Sequence, residues 1–331
     1  MIELNEDGLD LGDQIRGVIY GNAIGDALGI GSEFMSKTDV LIRFPNGLRH
    51  YAQVARRGFR PGDWSDDTDQ MICILDSLVA EKKVDPEDIA GRIYHWAKTN
   101  GRGMGRTVRN VTSASNFLRD PFGAARAEWE RGGRQAAANG AVMRTSVLGV
   151  WDFWDQEKVV ENARLAALVT HADPRCVASS VAVSVAIAEL LKNRTPDIEK
   201  VAEAAASAGA RFDPGLPEVV GAGYELRLDE PGKFGYTYKT AGAGFWALRT
   251  AKSFEEGVVD VVNAGGDADT NAAVAGAMLG ARFGFKAIPA EWADGLAEKK
   301  ALDQRIEELS LLVYERIPAP SDFLLEKPPN V

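Results

Sequence analysis

Four aspartates within seven residues mark the part of this chain whose side chains are best suited to chemistry. They are Asp63, Asp66, Asp67 and Asp69, with Ser65 among them, and an apolar helical pattern follows at once. Carboxylates that converge repel one another, and protonation or bound cations relieve the repulsion. A structural explanation stays open here, because serine caps helices and aspartates are favoured in a first turn.

A second stretch, 265–271, has the same order of residue types. Asp267, Asp269 and Thr270 follow two glycines and precede a helical pattern of small residues. Each of the two Asp/hydroxyl clusters stands before a helix that reads as buried, and the two are far apart along the chain. We therefore predict one oxygen-lined site, assembled from the N-termini of two helices.

Carboxylates and hydroxyls without histidine or cysteine form a hard ligand set. Such a set selects Mg²⁺, Mn²⁺ or Ca²⁺ over zinc. Acids on two separate elements favour a binuclear centre, with the metals about 3.5–4 Å apart and one carboxylate shared. A centre of this kind chelates neighbouring hydroxyls of a sugar and orients a bound water.

The elements that must position these residues are helices. Residues 11–28 show apolar helical spacing with a glycine at every fourth position from 17 to 29. Glycine costs about 1 kcal/mol per site against alanine in a helix, so a close helix approach or a functional site must compensate. Asp26 lies in this helix, and we interpret it as a buried hydrogen-bond acceptor in preference to a metal ligand. Glu33 follows in the loop.

Capping residues followed by proline, together with apolar periodicity, predict further helices. Sustained apolar alternation is lacking, so we predict an all-α fold. It forms a single compact domain over 5–317, followed by a proline-rich C-terminal tail at 318–331, and the segment 34–63 reads as irregular. The predicted helices are 87–98, 155–169, 175–191, 197–208, 217–228, 240–250, 254–262 and 292–314.

Two glycine-rich loops, 99–106 and 132–144, interrupt the helical pattern. Their backbone amides suit an anion, although such loops are more often plain turns. Neither matches a P-loop or a dinucleotide fingerprint, which disfavours a nucleotide kinase or a dehydrogenase. His171 precedes a helix cap and has no serine or cysteine partner in the pattern, so nucleophilic catalysis of the triad type is not indicated.

Composition narrows the class of protein. The 331 residues are 45% hydrophobic and 26% charged, which suffices for a large core. A formal charge of −10 argues against nucleic acid as a partner. The two cysteines, Cys73 and Cys176, read as buried thiols of a reducing compartment. We find no signal peptide and no apolar run of about 18 residues, and we expect a cytoplasmic monomer with no membrane partner.

Five motifs, in order and spanning residues 12–284, resemble the motif set of the ADP-ribosylglycohydrolase family. The resemblance implies an all-α fold around two Mg²⁺ ions, for which Mn²⁺ can substitute. It also implies hydrolysis of the bond that joins ADP-ribose to a protein side chain. The motifs are 21–29 (GNAIGDALG) with Glu33, 64–68 (WSDDT), 139–144 (NGAVMR), 170–174 (THADP) and 265–271 (GGDADTN).

The resemblance also implies roles for individual residues. Asp66, Asp67 and Glu33 are the expected catalytic residues, and Asp269 is the expected bridge between the metals. The expected metal ligands are Ser65, Asp66, Asp67, Asp267, Asp269 and Thr270. The expected substrate-binding residues are Gly103, Gly105, Gln135, Asn139, Gly140, Met143, Arg144 and His171.

Some positions depart from the family pattern. Gly103 stands where members that act on arginine carry an aspartate, whereas Glu33 and Phe34 are similar to those members. The side chain that carries ADP-ribose, arginine or serine, is therefore open. An aromatic expected against adenine is missing from the 132–144 loop, and Tyr224 or Tyr236 can replace it. Two alternatives also stay open: a hydrolase of small conjugates such as O-acetyl-ADP-ribose, and a non-catalytic, crystallin-like relative.

Overall fold

The structure is a computed structural model that describes residues 10–193, 195–223 and 226–318. Within those ranges it contains α-helices, short 3₁₀ turns and two isolated β-bridges, and no strand, which confirms the predicted all-α class. The helices are α1 Leu11–Gly29, α2 Lys37–Arg43, α3 Asp66–Glu81, α4 Pro86–Thr99, α5 Arg106–Thr112, α6 Pro121–Arg131, α7 Gln156–Leu168, α8 Pro174–Lys192, α9 Ile198–Ala210, α10 Leu216–Val220, α11 Thr237–Thr250, α12 Phe254–Val262, α13 Ala268–Phe283, α14 Ala290–Asp294 and α15 Lys299–Arg316.

The most extensive helix contact joins α1 to α13, at the centre of the molecule. The glycines of α1 face small residues of α13 so closely that no side chain fits between them. A Cβ on Gly21 would lie 2.0 Å from the carbonyl oxygen of Gly276, and one on Gly25 would lie 1.9 Å from that of Ala272. Close backbone approach therefore compensates for the low helix propensity of glycine, as the spacing predicts.

Helix α8 forms the other part of the core, packed against α7, α9 and α11. Among the described helices it is the one long and apolar enough to cross a membrane by length and composition, with a mean hydropathy of 1.5. The expectation that no apolar run reaches membrane length was therefore too strict. However, 83% of this apolar stretch of α8 is buried inside the protein.

Aspartates cap four of the predicted helices. The side chains of Asp85, Asp155, Asp173 and Asp197 each accept a hydrogen bond from an amide in the first turn of α4, α7, α8 and α9. These caps satisfy amides that have no partner inside the helix. The starts of these four helices agree with the predicted positions to within one residue.

The structure corrects the predictions in several segments. The region 34–63 contains the short helix α2, and two further helices, α5 and α6, were missed. The predicted helix 217–228 is only the five residues of α10, because the chain turns at Gly221. The predicted helix 292–314 is two helices, α14 and α15, with a break after Gly295. The tail beyond residue 318 lies outside the described residues, so the boundary at 317 stays a prediction.

Candidate metal centre

Helix α3 begins at the first acidic cluster, and its N-terminus directs two of the four aspartates towards the centre. Ser65 is the N-cap, and its hydroxyl donates to Asp67 Oδ2 at 2.9 Å. Asp63 instead pairs with Arg102 at 2.9 Å. Asp69 accepts hydrogen bonds from Trp64, Trp96 and Asn100 at 2.8–2.9 Å. Asp63 and Asp69 thus stabilise the surrounding loops, while Asp66 and Asp67 remain for the site.

The loop before α13 brings Glu33 beside the second acidic cluster. The amide of Phe34 donates to the carbonyl of Gly266 at 2.6 Å, and the amide of Gly266 donates to that of Met35 at 2.8 Å. Gly266 has φ +73°, and a Cβ there would lie 2.1 Å from the carbonyl oxygen of Leu228. Only glycine fits this left-handed, crowded position. Pairing of the two loops therefore holds Glu33 next to Asp267.

The two distant clusters meet, as the sequence predicts. Carboxylate oxygens of Asp26, Asp67 and Asp269 lie within 4.8 Å of one another, and so do oxygens of Glu33, Asp267 and Asp269. Asp269 belongs to both groups, which is the position that a bridging carboxylate requires. Cation ligation at either group stays a prediction.

Asp26 has the hydrogen bonds expected of a buried acceptor. It receives the amides of Ser65 and Thr68 at 2.9–3.0 Å and the Thr68 hydroxyl at 2.6 Å. This arrangement ties α1 to the start of α3. The carboxylate nevertheless lies within the group of Asp67 and Asp269. Sequence reasoning therefore identified its structural role, and its position in this group makes it a candidate ligand as well.

Burial makes these carboxylates unusually basic. It raises the pKa of Asp66 to about 8, that of Glu33 to about 7 and that of Asp26 to about 6, and the charge of neighbouring carboxylates adds to the effect on Asp66. Burial, followed by neighbouring carboxylates, raises the pKa values of Asp67 and Asp269 well above normal.

One oxygen of the cluster, Asp67 Oδ1, is buried without any hydrogen-bond partner. Unpaired, closely spaced carboxylate oxygens fit a hard divalent cation, because the ion offsets both the repulsion and the lost hydration. The residues present therefore suit Mg²⁺ or Mn²⁺.

Several expected substrate residues lie against this centre. The Asn139 amide donates to Asp267 Oδ2 at 2.7 Å and to the Thr240 hydroxyl at 3.0 Å. Gly103, at φ +86°, lies so near Asp66 that a Cβ would be 2.4 Å from Oδ1. A Cβ on Gly140 would be 2.9 Å from the His171 ring. These loops border the carboxylates, and their contact with a ligand stays a prediction.

Other expected substrate residues lie elsewhere. Arg144 is fully buried, and its guanidinium donates to Gln70, the Ala166 carbonyl and Thr170. It reaches the centre only through Gln70, whose amide lies 3.4 Å from Asp66. Met143 is buried in the same turn, whereas Gln135 and Gly105 are exposed.

His171 is a buried neutral imidazole. Burial, followed by the charge of Arg144, lowers its pKa to about 3. Its Nδ1 lies 2.8 Å from the Thr170 hydroxyl, and its Nε2 has no partner. Because the Thr170 oxygen accepts from Arg144, its own proton is free for Nδ1. This arrangement favours the tautomer that carries the ring proton on Nε2, beside Gly140.

Tyr236 lies against the loop whose aromatic residue is missing. It forms a β-bridge with Ala138, and its ring is half-buried between Tyr238 and Arg175. Tyr224, the other alternative, lies outside the described residues. Sequence reasoning missed Arg56, which pairs with Glu33, because its position in an irregular loop gives no signal of that contact.

Comparisons with known proteins agree with this architecture. The profile of the ADP-ribosylglycohydrolase family matches residues 7–321. An uncharacterized protein of Archaeoglobus fulgidus is 30% identical over 313 residues, covering 92% of this chain and 96% of its own. The ADP-ribosylarginine hydrolase Tri1 of Pseudomonas putida is 28% identical over 326 residues, covering 92% and 79%. A solved structure described as an ADP-ribosylglycohydrolase-related protein complex superposes with a TM-score of 0.76 at 29% identity, covering 92% and 99%. The chain belongs to the ADP-ribosylglycohydrolase family.

Proposed function

We propose that this protein is a Mg²⁺-dependent hydrolase that cleaves the glycosidic bond between ADP-ribose and a protein side chain, arginine or serine. Family membership makes the chain a glycosidase for ADP-ribosylated substrates. The observation that carries the proposal is the convergence of Asp67 from α3 and Asp269 from α13 within one buried group of carboxylates. A non-catalytic relative has no need to maintain buried, closely spaced carboxylates of this kind.

The two groups that share Asp269 would each hold one divalent cation. Asp26 and Asp67 complete one group, and Glu33 and Asp267 complete the other. Ser65 and Thr270 supply hydroxyls at the same helix N-termini, where the Thr270 hydroxyl lowers the pKa of Asp67 against the larger effect of burial. When bound, Mg²⁺ supplies positive charge that binds ribose hydroxyls and lowers the pKa of a water molecule.

The protein's own groups would then orient the substrate. Asp66 lies at the edge of the cluster beside Gly103, where its carboxylate is positioned to accept a proton from an attacking water. As the bond between the anomeric carbon of the ribose and the protein side chain breaks, the ribose passes through an oxocarbenium-like state. Nearby carboxylates stabilise that state. His171 Nε2 is available to donate to the distal part of the ADP-ribose. Tyr236 and the guanidinium of Arg175, which lies 5.8 Å from the centre of its ring, would together form the side of the site that takes adenine.

The test compares Asp269→Asn and Asp67→Asn with Asp294→Asn, a variant of an exposed aspartate on α14. Each purified protein is incubated with arginine-linked, serine-linked and O-acetyl-linked ADP-ribose, in Mg²⁺ or in EDTA. We expect wild type and Asp294→Asn to release ADP-ribose only with Mg²⁺, and both site variants to lose at least about 1000-fold in rate. Full activity in the site variants refutes the centre. Cleavage of the O-acetyl compound alone supports the small-conjugate alternative.

A further inference from the structure

Two groups of carboxylates share Asp269, and Arg56 forms the one ion pair that any of their members makes within the described part of the chain. Its Nη1 pairs with Oε2 of Glu33. The guanidinium carbon also lies 5.7 Å from the centre of the Phe34 ring, so the charge is held by a carboxylate and an aromatic face together. Arg56 acts on Asp267 as well, because its charge lowers the pKa of that residue, against the larger effect of burial.

These contacts concentrate positive charge at one end of the centre. Glu33 and Asp267 belong to the group completed by Asp269, and the positive charge of Arg56 lowers the pKa of both, against the larger effect of burial. The other group, in which Asp26 and Asp67 meet Asp269, contains no residue that is ion-paired in the described ranges. The two candidate ion positions therefore differ: one already has a cation beside it and the other does not.

Arg56 approaches from the solvent side. Its side chain is 35% exposed, whereas that of Glu33 is 12% exposed. The loop that carries it makes a tight turn, in which the amide of Phe59 donates to the carbonyl of Arg56 at 3.1 Å. A long side chain on such a loop can withdraw from Glu33 by rotation about its own bonds, without movement of any helix.

We propose that Arg56 is a tethered cation that occupies the Glu33 end of the centre and competes with the second divalent ion for that carboxylate. The inference rests on the metal centre of the proposed function. A guanidinium bound to a Glu33 oxygen excludes an ion from that oxygen, and its charge repels an ion at the adjacent Asp267. The ion at the Asp26 end therefore binds first and more tightly, and the ion at the Glu33 end binds only when Arg56 withdraws. Arg56 is thus a positioning residue that controls occupancy.

The test measures Mg²⁺ binding by titration calorimetry on the full chain and on three variants. Arg56→Gln removes the competing charge. Arg56→Lys keeps the charge but lacks the planar guanidinium group, which can donate two parallel hydrogen bonds to a carboxylate. Arg57→Gln is the matched control, because Arg57 is the exposed neighbour and makes no ion pair in the described residues. We expect Arg56→Gln to tighten the weaker site about 5- to 10-fold and to change the tighter site by less than about 2-fold. Arg57→Gln should change either site by less than about 2-fold, because solvent screens its charge.

A second readout follows the guanidinium directly. In ¹⁵N spectra the Arg56 Nε–H signal, assigned by its loss in Arg56→Lys, should shift only as the weaker site fills. Equal affinities in Arg56→Gln and Arg57→Gln, or weaker binding in Arg56→Gln, overturn the inference while the metal centre stands. A wild-type protein that binds no divalent cation overturns the metal centre and this inference together.

Discussion

Asp66 owes its place at the edge of the carboxylate cluster to a neighbour without a side chain. Gly103 lies at φ +86° over the Asp66 carboxylate, in a space that a methyl group would fill. Chemistry that depends on a proton passing to or from Asp66 requires its oxygens to stay within hydrogen-bond reach of the substrate. Position 103 therefore bears on the geometry of the Asp66 carboxylate.

We predict that Gly103→Ala reduces kcat/KM for ADP-ribose release about 100-fold, because displacing a catalytic group by about 1 Å costs that much. The matched control is Gly58→Ala. Gly58 has a similar left-handed φ of +91° but nothing within 4 Å of an added Cβ, so it reports backbone strain alone. Steady-state kinetics at saturating Mg²⁺ measure both. An equal loss in the two variants contradicts a contact with Asp66.

For single residues, residue types and spacing predicted the members of the site correctly where those residues lie within one short motif. The acidic residues of 64–68 and 265–271 do converge, and Glu33 lies beside Asp267. Contacts made by single residues in irregular loops, such as that of Arg56, have no periodicity or motif to reveal them. Arg144 illustrates a further limit, because a basic residue in a substrate loop looks the same in sequence whether it faces a ligand or is buried against Gln70 and Thr170.

At the scale of elements, the contact of α1 with α13 sets the spacing of the site. Asp26 lies in the last turns of α1, and Asp269 lies in the first turn of α13. Gly29 is so close to α13 that a Cβ would lie 2.3 Å from the Asp269 Cα. The glycine spacing made α1 predictable, whereas its partner could not be read from sequence, since several other helices are rich in small residues.

We predict that Gly25→Ala destabilises the protein by about 3 kcal/mol or more, because the new methyl group would meet the Ala272 carbonyl oxygen. Gly91→Ala, within α4, is the control. A Cβ there meets nothing within 4 Å, so it should stabilise by about 0.5–1 kcal/mol through helix propensity. Urea unfolding followed by circular dichroism measures the difference. Equal stability of the two variants would show that α1 and α13 are less closely packed than described.

Helix existence was easier to predict than helix ends. An aspartate cap followed by proline predicted the starts of α4 and α8, since a cap is a local signal. Helix α10 ends at a turn near Gly221, and a turn near Gly295 separates α14 from α15. The apolar pattern of the sequence continues through both turns, so it does not reveal them. Helix α6 was missed even though Asp120 and Pro121 give it the same punctuation as the others.

At the scale of the whole molecule, the carboxylates link stability to pH and to metal. Folding raises the pKa of Asp26, Glu33 and Asp66 from 3.8, 4.5 and 3.8 to about 6, 7 and 8. Between about pH 4 and pH 8 the folded state therefore binds more protons than the unfolded state. The stability that these groups contribute is fully present below about pH 4 and is lost as the pH rises through the folded values.

We therefore predict that the melting temperature in EDTA falls from pH 5.5 to pH 8, and that saturating Mg²⁺ removes most of that fall by replacing the protons. His171 acts in the opposite sense, because its pKa is lowered from 6.5 to about 3, so its contribution is lost as the pH falls from about 6.5. A His171→Asn variant, scanned in EDTA, should show a steeper fall with rising pH. Scanning calorimetry measures each case, and a wild-type melting temperature that rises with pH in EDTA contradicts the account.

The close approach of α1 and α13 has a consequence for how quickly ions are taken up. Because glycine backbones fix the separation of Asp26 and Asp269, the carboxylates are in register before any ion arrives, and little conformational entropy remains to be lost on binding. The Asp26 end of the site should then fill at a rate set by the shedding of water from Mg²⁺, with no slower step of protein rearrangement.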